Sequence, residues 1–105
     1  MKIAQLRPKA RQDLRHELIH YRGEASQAVA QRLRLQAEQS IELLARNPGL
    51  GWPTLGRELG IENLRTWPLS GYPLLWLYIE HPRHLDVVRL LGQRQDIASI
   101  LLDKH

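Results

Sequence analysis

Two groups of residues in this chain have the types and spacing to do chemistry. The first is His16-Glu17-Leu18-Ile19-His20. It matches H-E-x-x-H, a helical pattern in which two imidazoles hold zinc and the glutamate activates a metal-bound water. Glu38 or Glu42 could add a third ligand. The neighbouring residues argue against a metal. Ala10, Leu14, Leu18 and Tyr21 recur at helical spacing and form one apolar face. That face turns His16 and His20 away from any core, and Arg15 and Arg22 flank them. A solvated helix flank is the preferred reading, with no metal, cofactor or catalytic residue assigned. The second group is Arg65 and Arg89, each inside an otherwise apolar β-type segment. Arginine seldom sits there unless it is paired or reaches a ligand. Guanidinium does not deprotonate, so it clamps phosphate or carboxylate but cannot serve as a base. The structural alternative is an internal ion pair with Asp86, Glu62 or Glu80.

Aromatic residues form a third, weaker signal. Trp76 and Tyr78 lie in the most apolar run and read as core. Trp52, in a glycine- and proline-containing segment, is expected to be partly exposed, where it could stack on a base or a partner. His81 and His84 flank a turn and read as solvated, and His105 ends the chain.

The elements that must position these residues follow from periodicity. Lys2 to Leu6 can be a strand. Pro8 suits a first helical turn, whose N–H has no partner anyway. A helix is expected from Lys9 to Arg22, with Gly23 as its break. A longer one is expected from Glu24 to Asn47, with Val29, Leu33, Ala37, Ile41 and Leu44 on its apolar face. Asn47-Pro48-Gly49 stops it. The two helices should form an antiparallel hairpin. Leu50 to Asn63 reads as a loop. Leu64 to Leu69, Pro73 to Ile79 and Leu85 to Leu91 read as three strands with short turns, hence an antiparallel meander. The continuous apolar run of the middle one predicts burial on both faces. Asp96 can cap a last helix, Ile97 to Leu102. The fold class is α+β, in a single domain over residues 1–105.

Composition narrows the classes. The 105 residues include 43% hydrophobic ones, enough for one packed core. There is no cysteine, which removes disulfides and thiol chemistry. No segment reads as a signal sequence or a membrane span, so a cytoplasmic protein is expected. The net charge of +4 allows nucleic acid or an acidic protein as partner without choosing between them.

Four motifs then occur in order. Leu6-Arg7-Pro8-Lys9-Ala10-Arg11-Gln12-Asp13-Leu14 fits L-x-P-x-A-x-x-D-L. Asn47-Pro48-Gly49-Leu50-Gly51-Trp52-Pro53 fits N-P-x-x-G-x-P. Leu64-Arg65-Thr66-Trp67-Pro68-Leu69, followed by Gly71-Tyr72, is the third. Val87-Val88-Arg89-Leu90-Leu91, followed by Arg94-Gln95-Asp96-Ile97, is the fourth. Together they resemble the RelE/ParE superfamily of bacterial type II toxins, and more closely its ParE (plasmid stabilisation) branch. The resemblance implies a strand, a helical hairpin, a three-stranded antiparallel meander and a short C-terminal helix. It implies a cognate antitoxin, ParD-like or otherwise DNA-binding, that wraps the toxin with a helix along the apolar surface of the hairpin and a strand on an open sheet edge, and carries the pair to operator DNA. ParE-type relatives act on DNA gyrase, whereas RelE-type relatives cut messenger RNA on the ribosome.

Cleavage of RNA by its own 2′-hydroxyl needs a base, an acid and cations for the phosphate. In the RelE branch arginines matching Arg65 and Arg89 supply cations, and a Tyr or His after the last strand moves the proton. Here that stretch reads Gly92-Gln93-Arg94-Gln95, with no proton-transfer side chain, and Leu55 to Asn63 lacks the lysines of the nuclease branch. Many ParE relatives carry His-Gly here, so Leu91-Gly92-Gln93 departs from both patterns. The expectation is a non-enzymatic gyrase inhibitor. Arg65, Arg89, Arg94 and Trp52 would bind partners or survive as the remnant of a phosphate clamp. A ribosome-dependent ribonuclease and a non-toxic co-repressor module are the alternatives, and homodimerisation stays open.

Overall fold

The computed structural model describes residues 1–102. The chain runs β1 (Ile3–Leu6), α1 (Pro8–Glu24), α2 (Gln27–Arg46), a single 3-10 turn (Pro48–Leu50), α3 (Thr54–Leu59), β2 (Leu64–Pro68), β3 (Leu74–Glu80), β4 (His84–Gly92) and α4 (Ile97–Leu102). The strands form one sheet in the order β1-β4-β3-β2. β2, β3 and β4 are the antiparallel meander, and β1 joins in parallel beside β4, Ile3 opposite His84 through Leu6 opposite Val87. The connection from β1 to β4 runs through the helical hairpin, α3, β2 and β3, which is more than the long crossover that a parallel pair requires.

The sheet is covered on both sides. On one face Trp76, Val87 and Leu90 pack against Ala10 of α1 and Leu33 and Ala37 of α2. Tyr78 and Leu85 continue this layer against Leu44 and Ala45. On the other face Leu64, Leu77, Val88 and Leu91 meet Leu55 of α3 and Ile97, Ile100 and Leu101 of α4. The unbroken apolar run of β3 follows, because an interior strand with two covered faces needs apolar residues at every position. The Trp76 indole N–H donates to the Ala37 carbonyl at 3.2 Å, so the buried ring keeps a polar partner.

Two expectations need correction. Gly23 does not break α1, which continues to Glu24. A helical glycine costs only about 1 kcal/mol. The interruption is set instead by Ser26, whose hydroxyl accepts from the Val29 N–H at 3.1 Å and starts α2. The segment 50–63 is not simply a loop, since it contains α3. Pro53 stands just before that helix and Gly60, at φ 69°, closes it. Residues that usually signal a loop are here the two ends of a short helix. Asp96 does cap α4, accepting from the Ser99 N–H at 3.1 Å. His105 lies outside the described residues.

Candidate functional site

Arg65 sits on β2 opposite Tyr78 of β3. Its Nη1 donates to the carbonyls of Gly51 (2.7 Å) and Gly49 (3.4 Å). The Tyr78 hydroxyl donates to the Pro48 carbonyl at 2.6 Å and accepts from the Gly51 N–H at 2.9 Å. Burial pushes the Tyr78 phenol up from its ordinary value, opposed by the Gly51 N–H and the Arg65 charge. Together the two side chains clasp the turn after α2 to the sheet. The contact is close: a Cβ on Gly51 would lie 2.4 Å from the Tyr78 hydroxyl and 2.9 Å from the Arg65 Cβ. Only glycine fits, which gives the glycine of the N-P-x-x-G-x-P motif its physical reason. Arg65 therefore pairs with backbone carbonyls, not with Asp86, Glu62 or Glu80.

The clasp delivers Trp52 to the edge of β2. Trp52 and Thr66 exchange two backbone hydrogen bonds, at 2.9 and 3.0 Å. Trp52 stays 58% exposed.

Arg89 has the other kind of partner. Its Nε and Nη2 reach the Asp13 carboxylate at 2.7 and 2.9 Å, and the Leu90 N–H reaches the same carboxylate at 3.0 Å. The hydrogen bond to Asp13 raises the Arg89 pKa. β1 has ended at Leu6 and the chain has turned into α1, so β4 runs on without a neighbour on that side. Asp13 takes the place of the missing strand, which explains the aspartate of the L-x-P-x-A-x-x-D-L motif. The pairing register shifts between Leu77 and Tyr78, where β4 carries a bulge. Arg89 lies opposite Leu77 and Arg65 opposite Tyr78. Consecutive residues of a strand face opposite ways, so the two arginines are not brought together. Arg94, in the turn after β4, is exposed and has no ion pair among the described residues.

Other sequence features lie apart from these two arginines. His16 and His20 are exposed on α1. Among the described residues no group of three or more His, Cys, Asp or Glu could hold a metal ion. His81 and His84 stack with ring centroids 4.5 Å apart and are half-buried. Asp86, one of the partners considered for the arginines, is bound by Arg7 at 2.6 and 2.9 Å, which holds its carboxyl below the usual range. Glu80 is bound by Lys2 at 2.7 Å.

The residues of one further surface, along the hairpin, do not stand out in the sequence. A hollow of about 540 Å³ lies along the helical hairpin, with Leu6, Leu14, Leu18 and Ile41 as its apolar floor and Arg11, Arg15 and Arg34 on its rim beside Glu38. It continues into a second hollow of about 420 Å³ that shares Arg15, Leu18 and Arg34 and reaches Arg22. None of these four arginines has an ion pair among the described residues. β1 borders the first hollow. The Lys2 N–H points away from the sheet to Ala45, and the Arg7 N–H points to Val87 of β4. Backbone groups alternate sides along a strand, so those of Ala4 and Leu6 face the free edge. The available signal was the four-residue spacing of Arg11 and Arg15, with Arg34 on the facing helix.

A family model described as the ParE toxin of the type II toxin-antitoxin system parDE matches residues 4–97. Among solved structures, a chain described as the chromosomal ParDE TA system from P. aeruginosa superposes with a TM-score of 0.73. It is 19% identical in sequence, and the match covers 88% of this chain and 96% of that one. No curated protein sequence matches the chain closely enough to count as a relative.

Proposed function

Because the chain belongs to the ParE toxin family of type II toxin-antitoxin systems, we propose that it inhibits DNA gyrase by binding and is silenced by a cognate antitoxin seated along its helical hairpin. The observation that carries the non-enzymatic reading is the engagement of both strand arginines. Arg65 holds the turn after α2, and Arg89 is bidentate to Asp13. A phosphate clamp built from them would have to break the Arg89 fork to Asp13 and draw on two side chains that face opposite ways from the sheet. No residue from Gly92 to Gln95 moves a proton near neutral pH.

The hairpin groove suits the antitoxin. Its apolar floor takes the apolar stripe of a helix, and its four unpaired arginines take carboxylates. An acidic segment that folds on binding needs such attraction to offset the ordering of its chain. The free edge of β1 can accept an added strand beside it. Trp52 stands apart from this groove, at the opposite edge of the sheet, and is the residue we assign to contact with gyrase.

The test is plasmid supercoiling by purified gyrase. The protein should block supercoiling or trap cleaved plasmid, and the antitoxin should relieve it. Trp52→Ala should lose the inhibition while keeping antitoxin binding. Growth arrest with normal supercoiling and cut transcripts would replace this reading with the ribonuclease one.

A further inference from the structure

Arg94, which has no ion-pair partner among the described residues, lines a cavity beside α1. Glu17, His20 and Tyr21 of α1 face the start of β3 (Pro73, Leu74) and the turn Gly92–Gln95 across about 570 Å³. Ligand pockets for small molecules run from about 300 to 1,000 Å³. The floor is apolar: Leu74 is buried, and the Tyr21 ring is held edge-on between His20 and Tyr72, 5.3 Å from each. The turn is braced from within. The Gln95 side chain accepts from the Gly92 N–H at 2.6 Å, and the Gln93 N–H donates to the Pro73 carbonyl at 3.0 Å. Its remaining side chains, Gln93 and Arg94, are exposed at the mouth. Glu17, His20 and Arg94 have no ion-pair partner among the described residues. A guanidinium, an imidazole, a carboxylate and a primary amide thus line one small apolar-floored cavity. Glu17 and His20 of the H-E-x-x-H sequence and the arginine after the last strand, distant along the chain, meet there.

We infer that this cavity binds a nucleoside 5′-phosphate, either free or as the end of a nucleic acid. Arg94 and the His20 imidazole N–H would hold the phosphate, since arginine forks onto phosphate oxygens with two parallel hydrogen bonds. The Tyr21 and Pro73 surfaces would take the flat base, and Gln93 and Glu17 its polar edge or the ribose hydroxyls. A bare phosphate would leave the apolar floor uncovered. This inference is independent of gyrase inhibition, because none of its residues belongs to the hairpin groove or to the Trp52 edge.

The experiment titrates the purified full chain with AMP, GMP, CMP and UMP, followed by amide and ring chemical shifts. Adenosine, inorganic phosphate and a dinucleotide with and without its 5′-phosphate serve as comparisons. Saturable shifts are expected at Gly92, Gln93, Arg94 and Tyr21. Binding should weaken at least roughly tenfold in Arg94→Ala, in line with the loss of a charge-assisted pair, and should be unchanged in Arg34→Ala. Preference for the phosphorylated dinucleotide over AMP identifies a nucleic-acid end as the source, and the reverse identifies a free nucleotide. Adenosine or inorganic phosphate binding as tightly as AMP would overturn the proposal. So would shifts that map to the hairpin groove, or affinity indifferent to Arg94→Ala.

Discussion

The arginines of the sheet and those of the hairpin groove are the same residue used in opposite ways. Arg65 and Arg89 sit in strands, half-buried, with their hydrogen bonds directed at the protein's own carbonyls or carboxylate. Arg11, Arg15, Arg22 and Arg34 stand exposed around an apolar floor without an ion-pair partner among the described residues. A cation amid apolar residues must find a fixed partner, because its desolvation would otherwise go uncompensated. A cation on a helix surface keeps its water and remains available. Sequence context alone makes the strand arginines look more interesting, and the structure gives both of them partners within the protein.

The sharpest way to break this contrast is Asp13→Ala. It strands Arg89, whose side chain is 20% exposed, and frees the Leu90 N–H. Loss of one partner of a mostly buried pair should cost about 3 kcal/mol, read as a lowered denaturation midpoint. Replacing both Asp13 and Arg89 with leucine should recover much of the loss. If Asp13→Ala leaves stability unchanged, the pair is not structural and Arg89 returns as a candidate ligand group.

The groove arginines should behave the other way round. Arg15→Glu with Arg34→Glu should leave the melting temperature nearly unchanged and weaken antitoxin binding by roughly 30-fold, from two lost charge contacts replaced by repulsion. Titration calorimetry or a competition assay reads the change. A stability loss with intact binding would reverse the assignment of the two regions.

The smallest effect concerns acid. Arg7 holds the Asp86 carboxyl below its ordinary value. The stability this contributes is present above the unfolded carboxylate value of about 4 and is lost as the pH falls through the lower folded value. Asp86→Asn should therefore narrow its deficit against the parent chain in acid and show it in full near neutrality. Denaturation midpoints across the acid range check this. A deficit that is constant with pH would mean that Arg7 gains nothing from the charge.

Much of the architecture was legible. The change from helical to alternating spacing after Asn63 separates hairpin from meander, and the apolar run Leu74–Ile79 marks the interior strand. The errors were local and share a cause. Gly23, Pro53 and Gly60 are read as breaks because each is costly inside a helix, yet Gly23 is tolerated and the other two bound α3. The partners of Arg65 and Arg89 were not legible. Asp13 is 76 residues from Arg89 along the chain, and backbone carbonyls carry no sequence signal. Which arginines line the hairpin groove was not legible for a similar reason. Its arginines are scattered singly in the sequence and converge only when α1 and α2 fold against each other.

By itself the sequence determined the element types, the order of the hairpin and the meander, and the four motifs that carry the family resemblance. These rest on short-range spacing and turn chemistry, which act within a few residues. Only the tertiary structure decided which cations are engaged and which are free. That depends on where β1 ends beside β4, on the approach of Gly51 to Tyr78, and on the meeting of α1 with the turn after β4. All three are long-range contacts, and no local rule of spacing contains them.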